Sequence, residues 1–168
     1  PYALKREFED IAAVVDSIGQ GVSLLGHSHG ALCALEAALL TPNVRSVIAY
    51  EPAAAPAKAT DDVMGRIQAS LDAGDPEEAV ITFVLDVVKM PSHEIEQWRS
   101  TPVFPARVAV AHTIPREFIG VEDYQFEPER FQHLNVPVLL LLGGDSPQFF
   151  RTNIENWHAA LPNSRIVM

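Results

Sequence analysis

The chain has few of the residues and patterns that would place a protein in a specialised class. Its single cysteine, Cys33, excludes an internal disulfide. No apolar run reaches the roughly 18 residues that a membrane span needs, and no signal peptide is visible. Lys and Arg number only 12 against 22 Asp and Glu, and the net charge of −10 argues against nucleic acids and anionic membranes as partners. We therefore expect a cytoplasmic protein that acts without either.

Metal and cofactor signatures are also missing. The six histidines and the acidic residues are scattered, without a His-x-x-x-His pair or a cysteine cluster, so that no metal site is expected. The Gly-x-Gly-x-x-Gly spacing of a dinucleotide loop does not occur either. The sequence predicts a protein that needs no cofactor.

What the chain does contain is an apolar content of 48% and an alternating order of helices and strands. Apolar residues at steps of three and four predict a first helix, which Gly19 ends; they are Leu4, Phe8, Ile11, Val15 and Ile18. Short apolar runs predict strands at 22–25, 44–50 and 136–142, with a last one beginning at 164. This order is typical of an α/β fold with a parallel sheet, whose strands are expected to be buried on both faces.

A long segment separates the second and third of these strands. A crossover between parallel strands needs only a dozen or so residues, so residues 55–134 are predicted to be a helical insertion. Within it, Asp75 and Pro76 mark a helix start, and Ser92 is a second expected cap. The chain therefore divides into a first core part at 1–54, the insertion at 55–134 and a second core part at 135–168. We expect the insertion to act as a lid, because ligands of parallel sheets bind at the carboxyl edge.

The motif Gly26-His27-Ser28-His29-Gly30 follows an apolar strand and opens a helical run. A serine on such a sharp strand-to-helix turn projects its hydroxyl above the edge of the sheet. Both glycines are expected to be required, because a side chain at either position is predicted to collide with the neighbouring strand or helix. The place of the motif between a strand and a helix gives it more weight than its five residues alone.

The strand, turn and helix around this motif, the strand that ends in Tyr50-Glu51-Pro52, the helical insertion and the run from Pro137 to Asp145 together resemble the α/β-hydrolase superfamily. The resemblance covers essentially the whole chain. It implies a partial hydrolase core with a helical cap, in which Ser28 is the nucleophile. It also implies that the backbone N–H of His29 is one of two oxyanion-hole donors.

The resemblance leaves two candidates for the acid of the catalytic triad. Members commonly have Gly-x-x-Asp after the strand that matches 136–142, but this chain has Ser146 at that place and Asp145 one residue earlier. Glu51, at the end of the preceding strand, is the rival, since many haloalkane dehalogenases carry their acid there. Both stay open, with a slight preference for Glu51.

The base of the triad has no candidate among the six histidines. In the superfamily it follows a further strand, so the resemblance implies a histidine beyond residue 168 and a second oxyanion donor before residue 1. We expect the 168-residue chain by itself to be inactive. We also expect its strand at 22–25 to have an open edge and an exposed apolar face through which chains self-associate.

The implied activity is hydrolysis of an ester-like or other acyl substrate through an acyl-enzyme on Ser28. The Val, Phe, Met and Trp residues of the insertion favour a small apolar substrate. Two alternatives remain open. One is cofactor-free haloperoxidase-like chemistry or carbon–carbon bond hydrolysis, and the other is a non-catalytic protein that binds a ligand on the hydrolase scaffold.

Overall fold

The structure is a computed structural model that describes residues 2–53 and 61–168. The chain divides into two compact units, the first formed by Pro1–Pro56 with Asp123–Met168 and the second by Ala57–Glu122. The predicted boundary between residues 54 and 55 lies outside the described residues. At the other end, residues 123–134, which the sequence assigned to the insertion, belong to the first unit.

The first unit contains a parallel sheet with strand order β1-β2-β3-β4 among the described residues. The strands are β1 (Val22–His27), β2 (Val44–Tyr50), β3 (Val138–Leu141) and β4 (Ser164–Val167). Each neighbouring pair is parallel, which confirms the predicted α/β fold with a parallel sheet. Strand β1 runs two residues further than predicted, because Gly26 and His27 continue the ladder opposite Ala49 and Tyr50.

Helices connect these strands and build the second unit. The α-helices are α1 (Leu4–Ile18), α2 (His29–Ala37), α3 (Asp61–Asp72), α4 (Pro76–Asp86), α5 (Ile95–Arg99), α6 (Val103–Ala109), α7 (Ile114–Glu122) and α8 (Gln148–Ala160). Short 3₁₀ turns lie at Ser92–Glu94, Ala111–Thr113 and Pro128–Phe131. Within the described residues, none of these helices combines the length and apolar character that crossing a lipid bilayer takes.

The core of the first unit lies between α2, α8 and one face of the sheet. Leu32 and Leu35 of α2 pack in one cluster with Leu140 of β3 and with Ile154 and Trp157 of α8. Helix α1 buries Phe8, Ala12 and Val15 and ends at Gly19, whose φ is 102°. Its predicted apolar stripe is too long by one turn, since Ile18 is 68% exposed.

The opposite face of the sheet is open in the described part of the chain. Leu25 is 74% exposed, and Tyr50 and Val167, which project from the same face, are also exposed. The expectation that the strands are buried on both faces is therefore wrong for these residues, because the helices that share a cluster with the strands contact only the alternate positions. Strand β1 forms the edge of this sheet, next to β2.

An ion pair between a buried carboxylate and a partly exposed arginine connects residues 123–131 to α2 in the first unit. Glu36, with 1% of its surface exposed, accepts two hydrogen bonds from the Arg130 guanidinium at 2.9 and 2.7 Å. It also accepts one from the Tyr124 hydroxyl at 2.6 Å. Burial and the adjacent Glu36 carboxylate raise the pKa of Tyr124 above its ordinary value. These contacts explain why the segment after residue 122 belongs with the core.

The second unit consists of α3 to α7 around two apolar clusters, one of which centres on Val80, Ile81 and Phe104. The predicted start of α4 is confirmed, because the Asp75 side chain accepts a hydrogen bond from the Glu78 N–H at 3.0 Å. Ser92 is not a cap, since it lies inside a 3₁₀ turn that begins after Pro91 and makes no capping bond. The expectation that this unit acts as a lid stays a prediction.

Candidate active site

Ser28 occupies a strained turn between the end of β1 and the start of α2. Its φ of 54° and ψ of −118° lie in a region that residues with a side chain rarely adopt. The backbone holds it there: its N–H donates to the Tyr50 carbonyl at 2.9 Å, and its carbonyl accepts from the N–H groups of Ala31, Leu32 and Ala53. Strain of this kind persists only where the surroundings impose it, and it is concentrated at functional sites.

The two glycines of the turn have different roles. A Cβ added at Gly26 meets the Gly30 carbonyl carbon at 2.5 Å and the Ala31 nitrogen at 2.6 Å, with the Gly30 oxygen closer still. The strand therefore passes so close to the first turn of α2 that only glycine fits. A Cβ added at Gly30 meets no atom within 4 Å. The predicted steric requirement is confirmed for Gly26 and is wrong for Gly30 in this structure, because Gly30 is exposed.

Glu51 follows β2 directly and is 5% exposed, with a positive φ of 49°. Its Oε1 accepts a hydrogen bond from the Gly143 N–H at 2.9 Å and another from the Ser146 hydroxyl. Oε2 has no hydrogen bond partner within the described residues. The Ser28 N–H donates a hydrogen bond to the carbonyl of Tyr50, the residue before Glu51. The turn at Ser28 is therefore anchored to the end of β2, where Glu51 lies.

Asp145, the second candidate acid, lies in a different environment. It is exposed in the turn after β3, and no described residue forms a hydrogen bond with its carboxylate. It does not cap α8 either, because that helix begins after Pro147 without a side-chain cap. The neighbouring Ser146 is the residue of this loop that reaches Glu51. The loop thus supplies hydrogen-bond donors to Glu51 rather than a second carboxylate beside it.

His29, the first residue of α2, is held by a carboxylate from α1. Its Nε2 lies 2.8 Å from Oε2 of Glu7, and its backbone N–H has no acceptor within the described residues. Glu7 also accepts hydrogen bonds from the Tyr2 hydroxyl at 2.6 Å and from the Cys33 thiol at 3.7 Å. Burial works to raise the pKa of Glu7, but the hydrogen bonds from Tyr2 and His29 outweigh it and hold that pKa below its ordinary value.

Comparison with known proteins places the chain in a family. Residues 1–167 match the model of the alpha/beta hydrolase family. The chain belongs to this family. An alpha/beta hydrolase from Sphaerobacter thermophilus has 32% sequence identity and a TM-score of 0.85, with 99% of this chain and 66% of that chain covered. No curated protein sequence matches this chain.

Two further solved structures are more distant and show the fold alone. The first, an esterase from Rhodococcus sp. ECU1013, has 18% identity and a TM-score of 0.67, with 96% of this chain and 62% of that chain covered. The second, the N-formylmaleamic acid deformylase from Pseudomonas putida S16, also has 18% identity and a TM-score of 0.63, with 99% and 65% covered. The chain thus spans less than two thirds of the length of each of these structures.

No histidine of the chain forms a hydrogen bond with Ser28 within the described residues. His27 packs against the ring of Tyr50, with centroids 4.9 Å apart, and His158 lies 2.8 Å from the Ser164 hydroxyl. His29 is engaged with Glu7. A base beyond residue 168 therefore stays a prediction.

A cluster of side chains around Glu7 was not expected from the sequence. The side chains of Glu7, His29 and Cys33 bring three atoms of metal-binding type within 4.8 Å of one another. His29 and Cys33 are four residues apart on one helix, a spacing that puts them on the same face, whereas Glu7 belongs to α1. In the sequence, only the four-residue spacing of His29 and Cys33 indicates such a cluster. The pattern around these two residues gives no sign that Glu7 lies beside them.

Proposed function

We propose that this protein is a serine hydrolase that cleaves an ester-like or other acyl substrate through an acyl-enzyme on Ser28. The observation that carries the proposal is the strained backbone of Ser28 at the junction of β1 and α2. Such a turn exposes a serine hydroxyl above the end of a parallel sheet, where it can attack a carbonyl carbon. The names of two structural neighbours, an esterase and a deformylase, fit this class, because both reactions transfer an acyl group.

The backbone N–H of His29 is the proposed donor to the oxyanion. It belongs to the residue after the nucleophile, and the superfamily uses that position for this role. No other group within the described residues accepts its hydrogen bond, so the N–H is free for the negative charge that develops on the substrate oxygen. Loss of one such donor costs about 10²–10³ in kcat in other hydrolases.

Glu51 is the proposed acid of the triad, in preference to Asp145. Two donors fix its Oε1, while Oε2 is left without a partner in the described part of the chain. A carboxylate held in this way can orient a histidine through its free oxygen. Asp145 is exposed and makes no hydrogen bond there.

The two candidate acids give different results in mutagenesis. Glu51→Gln is expected to lower kcat by about 10³–10⁴, because an amide favours the wrong histidine tautomer. Asp145→Asn is the matched control and is expected to stay within about threefold of the wild type, as exposed charges away from the chemistry contribute little. The reverse order of effects would transfer the role to Asp145.

Labelling with a fluorophosphonate probe tests the nucleophile. The natural gene product, expressed from its complete open reading frame, is expected to react, and Ser28→Ala is expected to abolish the reaction. Ser23→Ala, which removes an exposed hydroxyl on the strand that leads to Ser28, is expected to leave it unchanged. Labelling that survives in Ser28→Ala would refute the proposal. In a parallel ester-hydrolysis assay, Ser28-dependent turnover by the 168 residues alone would contradict the expected inactivity of this chain.

The proposal also includes a preferred class of acyl group. The apolar residues of the second unit, such as Phe83, Trp98 and Phe104, favour a small apolar acyl group if this unit forms the lid. A series of p-nitrophenyl esters of increasing acyl length tests this preference. The expected result is a maximum in kcat/KM at short to medium chains, and a preference for charged acyl groups would contradict it.

A further inference from the structure

The carboxylate of Glu7, which is not part of the proposed triad, accepts several hydrogen bonds. Three donors are directed at it, one from Tyr2 before α1 and two from α2. The Tyr2 hydroxyl approaches Oε1 at 2.6 Å, while His29 Nε2 and the Cys33 thiol approach Oε2 at 2.8 and 3.7 Å. The hydrogen bonds hold the pKa of Glu7 below its ordinary value, so that the acceptor is a charged carboxylate at neutral pH. Surface carboxylates rarely collect three partners.

The backbone on either side of His29 shows what this contact can control. The peptide unit between Ser28 and His29 carries a carbonyl at one end and the His29 N–H at the other. Three N–H groups hold the carbonyl, those of Ala31 at 3.0 Å, Leu32 at 3.2 Å and Ala53 at 3.4 Å. The N–H points away from them and is unpaired within the described residues. Because the peptide unit is planar, these three bonds anchor it on the carbonyl side, and the anchoring of residue 29 holds the same unit at its N–H end.

We propose that Glu7 is a positioning residue for the oxyanion hole. Its carboxylate fixes the imidazole of His29, and the fixed ring in turn holds the backbone N–H of the same residue in the direction that the oxyanion needs. This inference rests on the proposed function, since it assumes Ser28 as the nucleophile. It assigns α1 a part in catalysis through a contact between residues 22 positions apart.

Glutamine is an informative replacement for Glu7. A carboxylate can accept from Tyr2 on one oxygen and from His29 on the other, whereas an amide has one accepting oxygen and one donating nitrogen. Glu7→Gln therefore removes the charge and one of the two accepting oxygens, so that Tyr2 and His29 can no longer both donate to this side chain, while its size is kept. Glu9→Gln is the matched control, because Glu9 lies on the same helix and pairs with Lys5 and Arg6 at the surface.

The experiment compares steady-state kinetics and inhibitor binding in the natural gene product. Glu7→Gln is expected to lower kcat about tenfold at unchanged KM, less than the 10²–10³ that loss of a whole oxyanion donor costs. Affinity for a boronic acid, which forms a tetrahedral adduct with the serine, is expected to fall by the same factor. Glu9→Gln is expected to change neither value. A purely structural role for Glu7 would lower the melting temperature without this matched loss.

A double-mutant cycle isolates the route through His29. His29→Ala keeps the backbone N–H but removes the ring, so it is expected to reproduce the tenfold loss. The double variant with Glu7→Gln is expected to lose no more than either single variant. Additive losses would overturn the proposal, since Glu7 would then act independently of His29.

Two further outcomes are decisive. Stoichiometric binding of Zn²⁺ to the wild-type protein, lost in Cys33→Ser, would make the cluster a metal site and overturn the positioning role. Unchanged kcat and boronate affinity in Glu7→Gln would overturn it as well. Failure of the proposed function is recognised separately, because fluorophosphonate would then either leave the wild type unlabelled or label Ser28→Ala equally well, whatever the Glu7 variants do.

Discussion

Alanine at the two glycines of the nucleophile turn is expected to shift stability in opposite directions. At Gly26, the added Cβ lies 2.5–2.6 Å from backbone atoms of Gly30 and Ala31, and must move about 0.8 Å or more to reach the 3.4 Å of ordinary contact. Those atoms belong to the first turn of α2, which packs in the main core through Ala31 and Leu32. The helix therefore cannot yield as a flexible side chain would.

The cost of this overlap is expected to lie at the upper end of overpacking effects, about 3 kcal/mol. The reduced freedom of the unfolded chain offsets about 0.4–1 kcal/mol of it. The net loss of about 2–3 kcal/mol corresponds to a melting temperature lower by about 4–12 °C in a chain of this size. At Gly30 the Cβ meets open space, so that the entropic gain remains and Gly30→Ala is expected to stabilise by about 0.4–1 kcal/mol.

Urea denaturation followed by circular dichroism measures both changes, with equal m-values as the check that the unfolded state is unaffected. Fluorophosphonate labelling of the natural gene product with the same substitutions is expected to be lost in Gly26→Ala, because the strained turn is displaced, and kept in Gly30→Ala. The steric reasoning is refuted if Gly26→Ala unfolds within about 0.5 kcal/mol of the wild type, the range of a neutral surface substitution.

Three other features give predictions. Glu36→Gln leaves Arg130 without its buried carboxylate partner and is expected to lower the free energy of unfolding by about 2 kcal/mol. This is less than the 3–5 kcal/mol of a fully buried pair, because Arg130 is 40% exposed. An equal effect of Glu129→Gln, at an exposed position, in urea denaturation would contradict this. Asp75→Ala removes the cap of α4 and is expected to cost about 1 kcal/mol, whereas Ser92→Ala, which breaks no capping bond, should be neutral by thermal melting. The open sheet face around Leu25 is expected to make the 168-residue chain self-associate in size-exclusion chromatography, and Leu25→Lys to weaken this; a wild-type monomer at high concentration would exclude it.

Local patterns were sufficient to predict most of the elements of this fold. Strand β2 and helix α1 have the predicted bounds, because apolar periodicity and a glycine stop are properties of neighbouring residues. The cap at Asp75 was predictable for the same reason. The open face of the sheet could not be predicted in this way, because the alternation of apolar and polar residues along a strand does not say which helix, if any, covers each face.

The candidate site was predictable in part. The turn at Ser28 follows from a motif five residues long, but the sequence favours Glu51 over Asp145 only slightly. The stronger preference proposed for Glu51 rests on Gly143 and Ser146, which lie more than 90 positions away and donate to its Oε1. The spacing of apolar residues along the chain does not predict hydrogen bonds between residues so far apart.

The partners of two carboxylates, Glu36 and Glu7, could not be predicted from the sequence, and the physical reason is the same for both. Glu36 lies in an apolar helical run, and the arginine that neutralises it is 94 positions away. Glu7 sits on a helix whose pattern is that of an ordinary amphipathic surface, and its partner His29 is on another helix. Burial of a charge is decided by tertiary partners, which a single sequence does not display.

Mass-spectrometric mapping of the phosphonylated residue tests the central claim most directly. The natural gene product is labelled with a fluorophosphonate, digested with trypsin, and the peptide of residues 7–45 is fragmented, which separates Ser28 from Ser17 and Ser23. A single adduct on Ser28 is the predicted result. An adduct on another residue, or an unmodified peptide from a protein that hydrolyses esters, would contradict the assignment of Ser28 as the nucleophile.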